Sequence, residues 1–138
     1  MEEAAWHARV ARIDDAYSSV VINTALYDCA PDEARPHVYL LTIALLTPDA
    51  EGLASDQEAL TLKPIETQIT TDVCILGLVK AGSITGRKVR QVIFYGASSI
   101  DLQPVITQTT RKNRPYRFSL ISKDDPDWGV YWSLYPAT

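Results

Sequence analysis

Alternating apolar and polar positions at the N-terminus predict a β-hairpin. Residues 6–13 alternate, with Trp6, Ala8 and Val10 on one face, which is the period of a half-buried strand. Turn residues at 14–17 separate this run from a second β-rich run at 20–26. We therefore expect residues 6–26 to form two antiparallel strands.

Four further strands are predicted between residues 37 and 122. Residues 37–46 are the most continuously apolar run, which indicates an interior strand covered on both faces. Strands at 73–79 and 89–95 flank a loop at 80–87 that has glycines near both ends, which favours a hairpin with a mid-length loop. Residues 116–122 alternate again and form the last predicted strand.

Two segments with similar amino-acid sequences are predicted to form helices. The first begins after Thr61 and the second after Asp101, and each has a proline three positions after that N-cap residue. A proline in the first helical turn does little harm, because its missing N–H would have no partner there. A capping-box spacing that begins at Ser55 leaves room for a separate capped turn before the first helix.

The order of these elements predicts an α+β fold. From residue 37 to 122 the order is β-α-β-β-α-β, the ferredoxin-like split βαβ arrangement. The N-terminal hairpin (6–26) would extend or flank that sheet, and a C-terminal aromatic segment (124–136) would follow it. A chain of 138 residues with no linker suits a single domain, residues 1–138.

The C-terminal aromatic segment, residues 124–136, has the capping signals of a helix. Asp125 suits the N-cap, a proline follows at the first helical position, and Asp127 lies in the first turn. Four aromatic residues then share one helical face: Trp128, Tyr131, Trp132 and Tyr135. We expect this face to close the core, since exposed aromatic patches are rare on monomers. A strand with alternate residues inside is the competing interpretation.

Composition and charge limit the classes of function. A net charge of −4 argues against a general nucleic-acid binder, so the short basic groups at 87–90 and 111–114 are interpreted as solvated turns and strand ends. No apolar run approaches the ~20 residues of a membrane helix. The acidic start of the chain and two distant cysteines, Cys29 and Cys74, favour a cytoplasmic protein with free thiols.

The sequence contains no recognisable catalytic or metal-binding motif. Residues 82–88 are glycine-rich but lack the spacing and the strand–helix context of a phosphate-binding loop. Potential metal ligands cluster only in the loop before the apolar strand: Asp28, Cys29, Asp32, Glu33 and His37. No pair among them has the tight spacing of a structural zinc site, so we expect no metal and no cofactor. The sequence leaves one enzymatic hypothesis open, a site assembled from residues that are dispersed along the chain: Asp28, Asp32, His37 and Asp125.

The C-terminal segment resembles the signature of the bacterial domain of unknown function 695 family. The matching residues are Asp125, Asp127, Trp128, Tyr131, Leu134, Tyr135 and Pro136. An N-terminal tryptophan strand, Arg35-Pro36 before the apolar strand and Phe94-Tyr95 at the end of the fifth strand are compatible with it. The resemblance implies a fold and a structural role for the signature residues, but no activity. The general layout is also similar to regulator of ribonuclease E activity B, an inhibitor of that ribonuclease.

These observations favour a non-catalytic binding or regulatory module that acts through protein–protein contacts. Its partner is a protein of unknown identity, and a homodimer through a sheet edge is one arrangement that the sequence leaves open. Inhibition of a ribonuclease by direct binding and an enzyme with a dispersed site are the alternatives.

Overall fold

The computed structural model describes residues 5–136 and contains six strands, three α-helices and one short 3-10 helix. In chain order they are β1 (Trp6–Ile13), β2 (Ala16–Asn23), the 3-10 helix (Thr24–Leu26), β3 (His37–Ala44), α1 (Asp56–Ile75), β4 (Val79–Gly86), β5 (Val89–Gly96), α2 (Gln103–Lys112), β6 (Phe118–Asp124) and α3 (Gly129–Ser133).

All six strands form one sheet in the order β1-β2-β4-β5-β3-β6, and every neighbouring pair is antiparallel. The predicted α+β class is confirmed. The sheet has more strands than the predicted core of four, because β2 pairs with β4 and so adds the N-terminal hairpin to the same sheet. No helix within residues 5–136 is both long and apolar enough to cross a membrane.

The two faces of the sheet are covered by different parts of the chain. On the face that we call the helix face, α1 and α2 pack on a cluster of buried residues: Tyr39, Leu41, Ile69, Val73, Val92, Phe94, Leu102 and Ile106. On the opposite face, which we call the C-terminal face, the buried residues are Val20, Ile22, Val38, Ile93, Tyr95, Trp128, Tyr131 and Leu134. The C-terminal segment therefore supplies one of two core layers.

Helix α1 corrects two predictions. It is one helix from Asp56 to Ile75, so the start after Thr61 and the strand at 73–79 are both wrong. Ser55 caps it, since its side chain accepts a hydrogen bond from the Glu58 amide at 3.2 Å. Pro64 lies in the helix interior, but on the exposed side. The carbonyl of Leu60, which loses its helical partner there, can bond to water instead.

The hairpin of β4 and β5 also differs from the prediction. Residues 80–86, predicted as loop, belong to strand β4, and only Arg87 and Lys88 form the turn. Both have positive φ angles, 54° and 68°, as in the mirror-image turns of two-residue hairpins. The glycines have another purpose: a Cβ atom at Gly82 would lie 2.4 Å from the carbonyl oxygen of Val21. Glycine marks a close backbone approach here rather than a loop.

The first hairpin has the predicted β1, but β2 begins earlier, at Ala16, because Asp14 and Asp15 alone make the turn with positive φ angles. The half-buried character predicted for β1 is wrong, since Trp6 is 48% and Val10 65% exposed. Neither α1 nor α2 extends over this end of the helix face. Strand β6 begins two residues later than predicted, at Phe118.

The short helix α3 begins at Gly129 rather than at Pro126, so its predicted start is wrong by one turn. Trp128 precedes it in the left-handed backbone region, with φ 58°. The alternative of a strand at this position is excluded as well. Asp125 still caps the helix, because its carboxylate accepts hydrogen bonds from the amides of Gly129 and Val130, both at 3.0 Å.

Candidate functional site

The aromatic residues of the C-terminal segment connect distant parts of the fold. Trp128 is fully buried and stacks on Tyr95, with ring centroids 4.1 Å apart. Its indole N–H donates to the carbonyl of Arg35 at 2.9 Å. Tyr131 is also buried, and its hydroxyl donates to the carbonyl of Asn23 at 2.9 Å. These contacts fix the segment on β2, β5 and the loop before β3.

Asp125 is the polar centre of this segment. Its carboxylate accepts from the hydroxyl of Tyr95 at 2.6 Å, in addition to the two amides that it caps. Burial raises the pKa of this carboxyl group, but the hydrogen bonds from Tyr95 and the amides outweigh burial and lower the pKa overall. Asp125 is therefore held as an anion, which suits a cap and not a general acid.

The other signature residues divide between core and surface. Leu134 is buried, and its carbonyl accepts a hydrogen bond from the Arg9 guanidinium at 2.7 Å. Tyr135 is half-buried, and its hydroxyl lies 2.6 Å from that of Tyr131. Asp127 and Pro136 are exposed.

Asp32 and His37, two residues of the predicted dispersed site, are occupied by local contacts. Asp32 forms an ion pair with Arg35 at 2.8 Å, and His37 Nδ1 lies 2.9 Å from Asp124 Oδ1 across the β3–β6 pair. Asp28, Cys29 and Glu33 are exposed on the loop before β3. Within residues 5–136, no three His, Cys, Asp or Glu side chains are grouped so that they could hold a metal ion.

A groove on the helix face separates α1 from the N-terminal hairpin. Its volume is about 550 Å³. Residues of α1 line one side, Trp6 of β1 the other, and Val21, Lys80, Ser83 and Arg90 lie at the floor. The groove exists because β1 and β2 extend the sheet beyond the width that α1 and α2 cover.

A charged cluster at the floor of this groove surrounds Glu66, which is only 8% exposed. Arg90 donates to both carboxylate oxygens of Glu66, from Nε at 2.5 Å and from Nη2 at 3.1 Å. Lys80 donates to the same carboxylate at 2.5 Å. Burial raises the pKa of Glu66, but the bonds and charges of Arg90 and Lys80 outweigh it and lower the pKa. Glu66 is therefore an anion held between two cations.

Hydroxyl groups complete the cluster. Arg90 Nη1 donates to the Thr85 hydroxyl at 2.6 Å, and Nη2 lies 3.3 Å from the Ser83 hydroxyl. Both hydroxyl-bearing residues are buried. The ammonium of Lys80 lies 5.0 Å from the centre of the Trp6 ring, within range of a cation–π interaction.

Beside the groove lies an open, partly apolar surface, which we call the hairpin shelf. Cross-strand pairing places its members on the same face as the groove: Trp6, Ala8, Val10, Tyr17 and Val21. Arg12 lies on the same face, with its guanidinium 5.1 Å from the centre of the Tyr17 ring. Trp6, Val10 and Tyr17 are 48%, 65% and 45% exposed. The shelf is therefore a candidate contact surface.

Sequence reasoning missed this cluster because its three charges lie on α1, β4 and β5. The sequence predicts a loop for Lys80 and a solvated basic strand end for Arg90. One signal was present: in α1 the buried stripe Leu62, Ile69 and Val73 includes Glu66 at a core position. A single acid inside an apolar stripe needs a buried partner, because an unpaired buried charge is costly.

The fold and the groove together describe a small α+β domain with a six-stranded antiparallel sheet and a charged cleft beside its helices. The sequence matches the model of a family of unknown function (DUF695) over residues 4–135, and the chain belongs to that family. No curated protein and no solved structure matched the chain.

Proposed function

We propose that the protein is a non-catalytic binding module that acts through protein–protein contacts, and that the hairpin shelf is its contact surface. The supporting observation is that Trp6, Val10 and Tyr17 are all exposed on one face, next to a groove with a charged floor. Large aromatic side chains are enriched where proteins bind one another. The C-terminal aromatic residues are less suitable, because Trp128 and Tyr131 are fully buried.

The dimensions of the open surface favour one secondary-structure element of a partner. Two neighbouring strands span about 10 Å, since strands lie roughly 4.8 Å apart, and a helix with its side chains is about 10 Å wide. A partner helix on β1 and β2 would lie beside α1 and continue the helical layer. It would bury the apolar side chains that the chain itself leaves open.

Affinity capture with a matched control tests this proposal. The double variant Trp6→Ala, Val10→Ser removes the two most prominent side chains of the shelf. Ile75→Ser is the control, because Ile75 is 79% exposed at the end of α1 and does not belong to the shelf. The wild type and the control should capture the same protein from the native host, and the double variant should not. Purified partner and calorimetry then establish direct binding. Equal capture by all three proteins would exclude the hairpin shelf as the contact surface.

Ribonuclease inhibition is a narrower form of this proposal. It predicts that stoichiometric protein slows cleavage by a host ribonuclease, and that the double variant does not. A cleavage rate unaffected by the wild type would exclude it.

We also propose that β3 to β6, with α1 and α2, form a ferredoxin-like split βαβ core. The strand order β4-β5-β3-β6 supports this arrangement.

A further inference from the structure

The groove carries an excess of positive charge. Three cationic side chains line it, Lys63, Lys80 and Arg90, against one carboxylate, Glu66. The chain as a whole has a net charge of −4, so this concentration of cations runs against the overall balance. A cleft lined by one sign of charge attracts ligands of the opposite sign.

The cluster at the floor of the groove contains two cations and one anion. Arg90 pairs with both oxygens of the Glu66 carboxylate and directs further N–H groups to Thr85 and Ser83. Lys80 also bonds to that carboxylate, so two cations face one anion and the cluster keeps a net positive charge.

The geometry of Lys80 leaves it able to bind a further group. Among the contacts of residues 5–136, its ammonium donates only to Glu66, although it has three N–H donors. Its side chain is 17% exposed, so the ammonium is partly desolvated but can be reached from the groove. Trp6 forms the adjacent apolar wall.

We propose that Lys80 is a carboxylate-binding subsite for an acidic side chain of a protein partner whose neighbouring apolar residue packs on the hairpin shelf. This inference rests on the proposed function and adds the chemistry of the segment that is recognised. The partner's carboxylate would accept hydrogen bonds from the free donors of Lys80, and its apolar neighbour would cover Trp6. Such a pair of contacts selects an acidic, amphipathic segment over a basic one.

A two-dimensional ¹H–¹⁵N NMR titration with a small mimic tests the subsite without knowledge of the partner. The probe is 3-phenylpropionate, which joins a carboxylate to an aromatic ring, and its neutral amide, 3-phenylpropionamide, is the matched ligand. The carboxylate should shift the indole signal of Trp6 and the amides of Lys80 and Ser83 in a saturable way. The neutral amide should bind more weakly by about tenfold or more, the effect expected when a charge-assisted hydrogen bond is lost.

Variants of one lysine complete the test. Lys80→Met should remove the preference for the carboxylate, whereas Lys80→Arg, which keeps the charge, should retain it. Lys112→Met is the control, because Lys112 is exposed on α2 and away from the groove. Unchanged signals from the C-terminal face will show that each variant is folded.

The outcomes separate the two proposals. If acid and amide bind equally at Trp6, the shelf binds apolar groups and the carboxylate subsite is wrong. If Lys80→Met prefers the acid as the wild type does, the subsite is also wrong. If neither probe shifts the groove signals, the subsite is rejected, and the capture experiment alone decides the function of the shelf.

Discussion

Replacement of Asp125 by alanine should destabilise the protein by about 1.5–5 kcal/mol. The change removes the acceptor of two helix N-terminal amides, and such caps contribute about 0.5–2 kcal/mol. It also leaves the hydroxyl of Tyr95, a fully buried residue, without the carboxylate to which it donates. A buried hydrogen-bond donor that is left without an acceptor costs about 1–3 kcal/mol, and the two effects together give the expected range.

Urea unfolding, followed by tryptophan fluorescence to which the buried Trp128 contributes, measures this change. We expect a lower midpoint with an unchanged slope, because the surface exposed on unfolding stays the same. Asp127→Ala is the control, since Asp127 is an exposed acid two residues away in the same segment. Its effect should lie within about 0.5 kcal/mol of zero.

The contribution of Asp125 should also depend on pH. Its pKa in the folded protein is lower than the ordinary value of 3.8, because the bonds from Tyr95 and the two amides outweigh burial. The stabilisation is then fully present above that ordinary value and is lost as the pH falls through the folded pKa. The difference between wild type and Asp125→Ala should therefore shrink in acid.

Two results would refute this reasoning. One is a destabilisation of Asp125→Ala no larger than that of Asp127→Ala. The other is a difference between wild type and variant that stays constant as the pH falls below 3.8.

Two further predictions concern α1 and its contacts. Pro64→Ala should stabilise the protein by about 1–2 kcal/mol, because alanine restores an amide donor to the carbonyl of Leu60 in the helix interior; a lower melting temperature would contradict this. Tyr116→Phe should cost about 1–2 kcal/mol at neutral pH, because the Tyr116 hydroxyl donates to buried Glu58 at 2.7 Å. Burial and Glu58 raise the pKa of Tyr116 from 10.0 to about 12, so wild-type stability should fall as the pH rises through that range. Urea unfolding at several alkaline pH values should show a smaller decline for Tyr116→Phe.

Periodicity predicted the elements whose sequence has one clear repeat. Strand β1 begins and ends where its alternation does, and α2 begins within two residues of Asp101, whose side chain accepts from the Gln103 amide. The errors arose where proline and glycine were interpreted as breaks. Pro64 is tolerated inside α1 because it faces water, and Gly82 allows the close approach of β2. Neither circumstance can be recognised without the neighbouring element.

The candidate site was less predictable than the fold. Glu66, Lys80 and Arg90 lie on three elements, and only the pairing of β4 with β5 and the position of α1 bring them together. The exposure of the Trp6 side chain could not be predicted from the sequence either. Its alternation correctly indicated a strand, but whether a strand face is covered depends on how far the helices extend across the sheet.

The attachment of the C-terminal segment has a consequence for synthesis on the ribosome. Residues 128–134 fill the core of the C-terminal face and bond to β1, β2 and the loop before β3. A nascent chain can form both hairpins and both longer helices while that face is still uncovered. Val20, Ile22, Val38 and Ile93 then stay accessible to chaperones until the segment emerges.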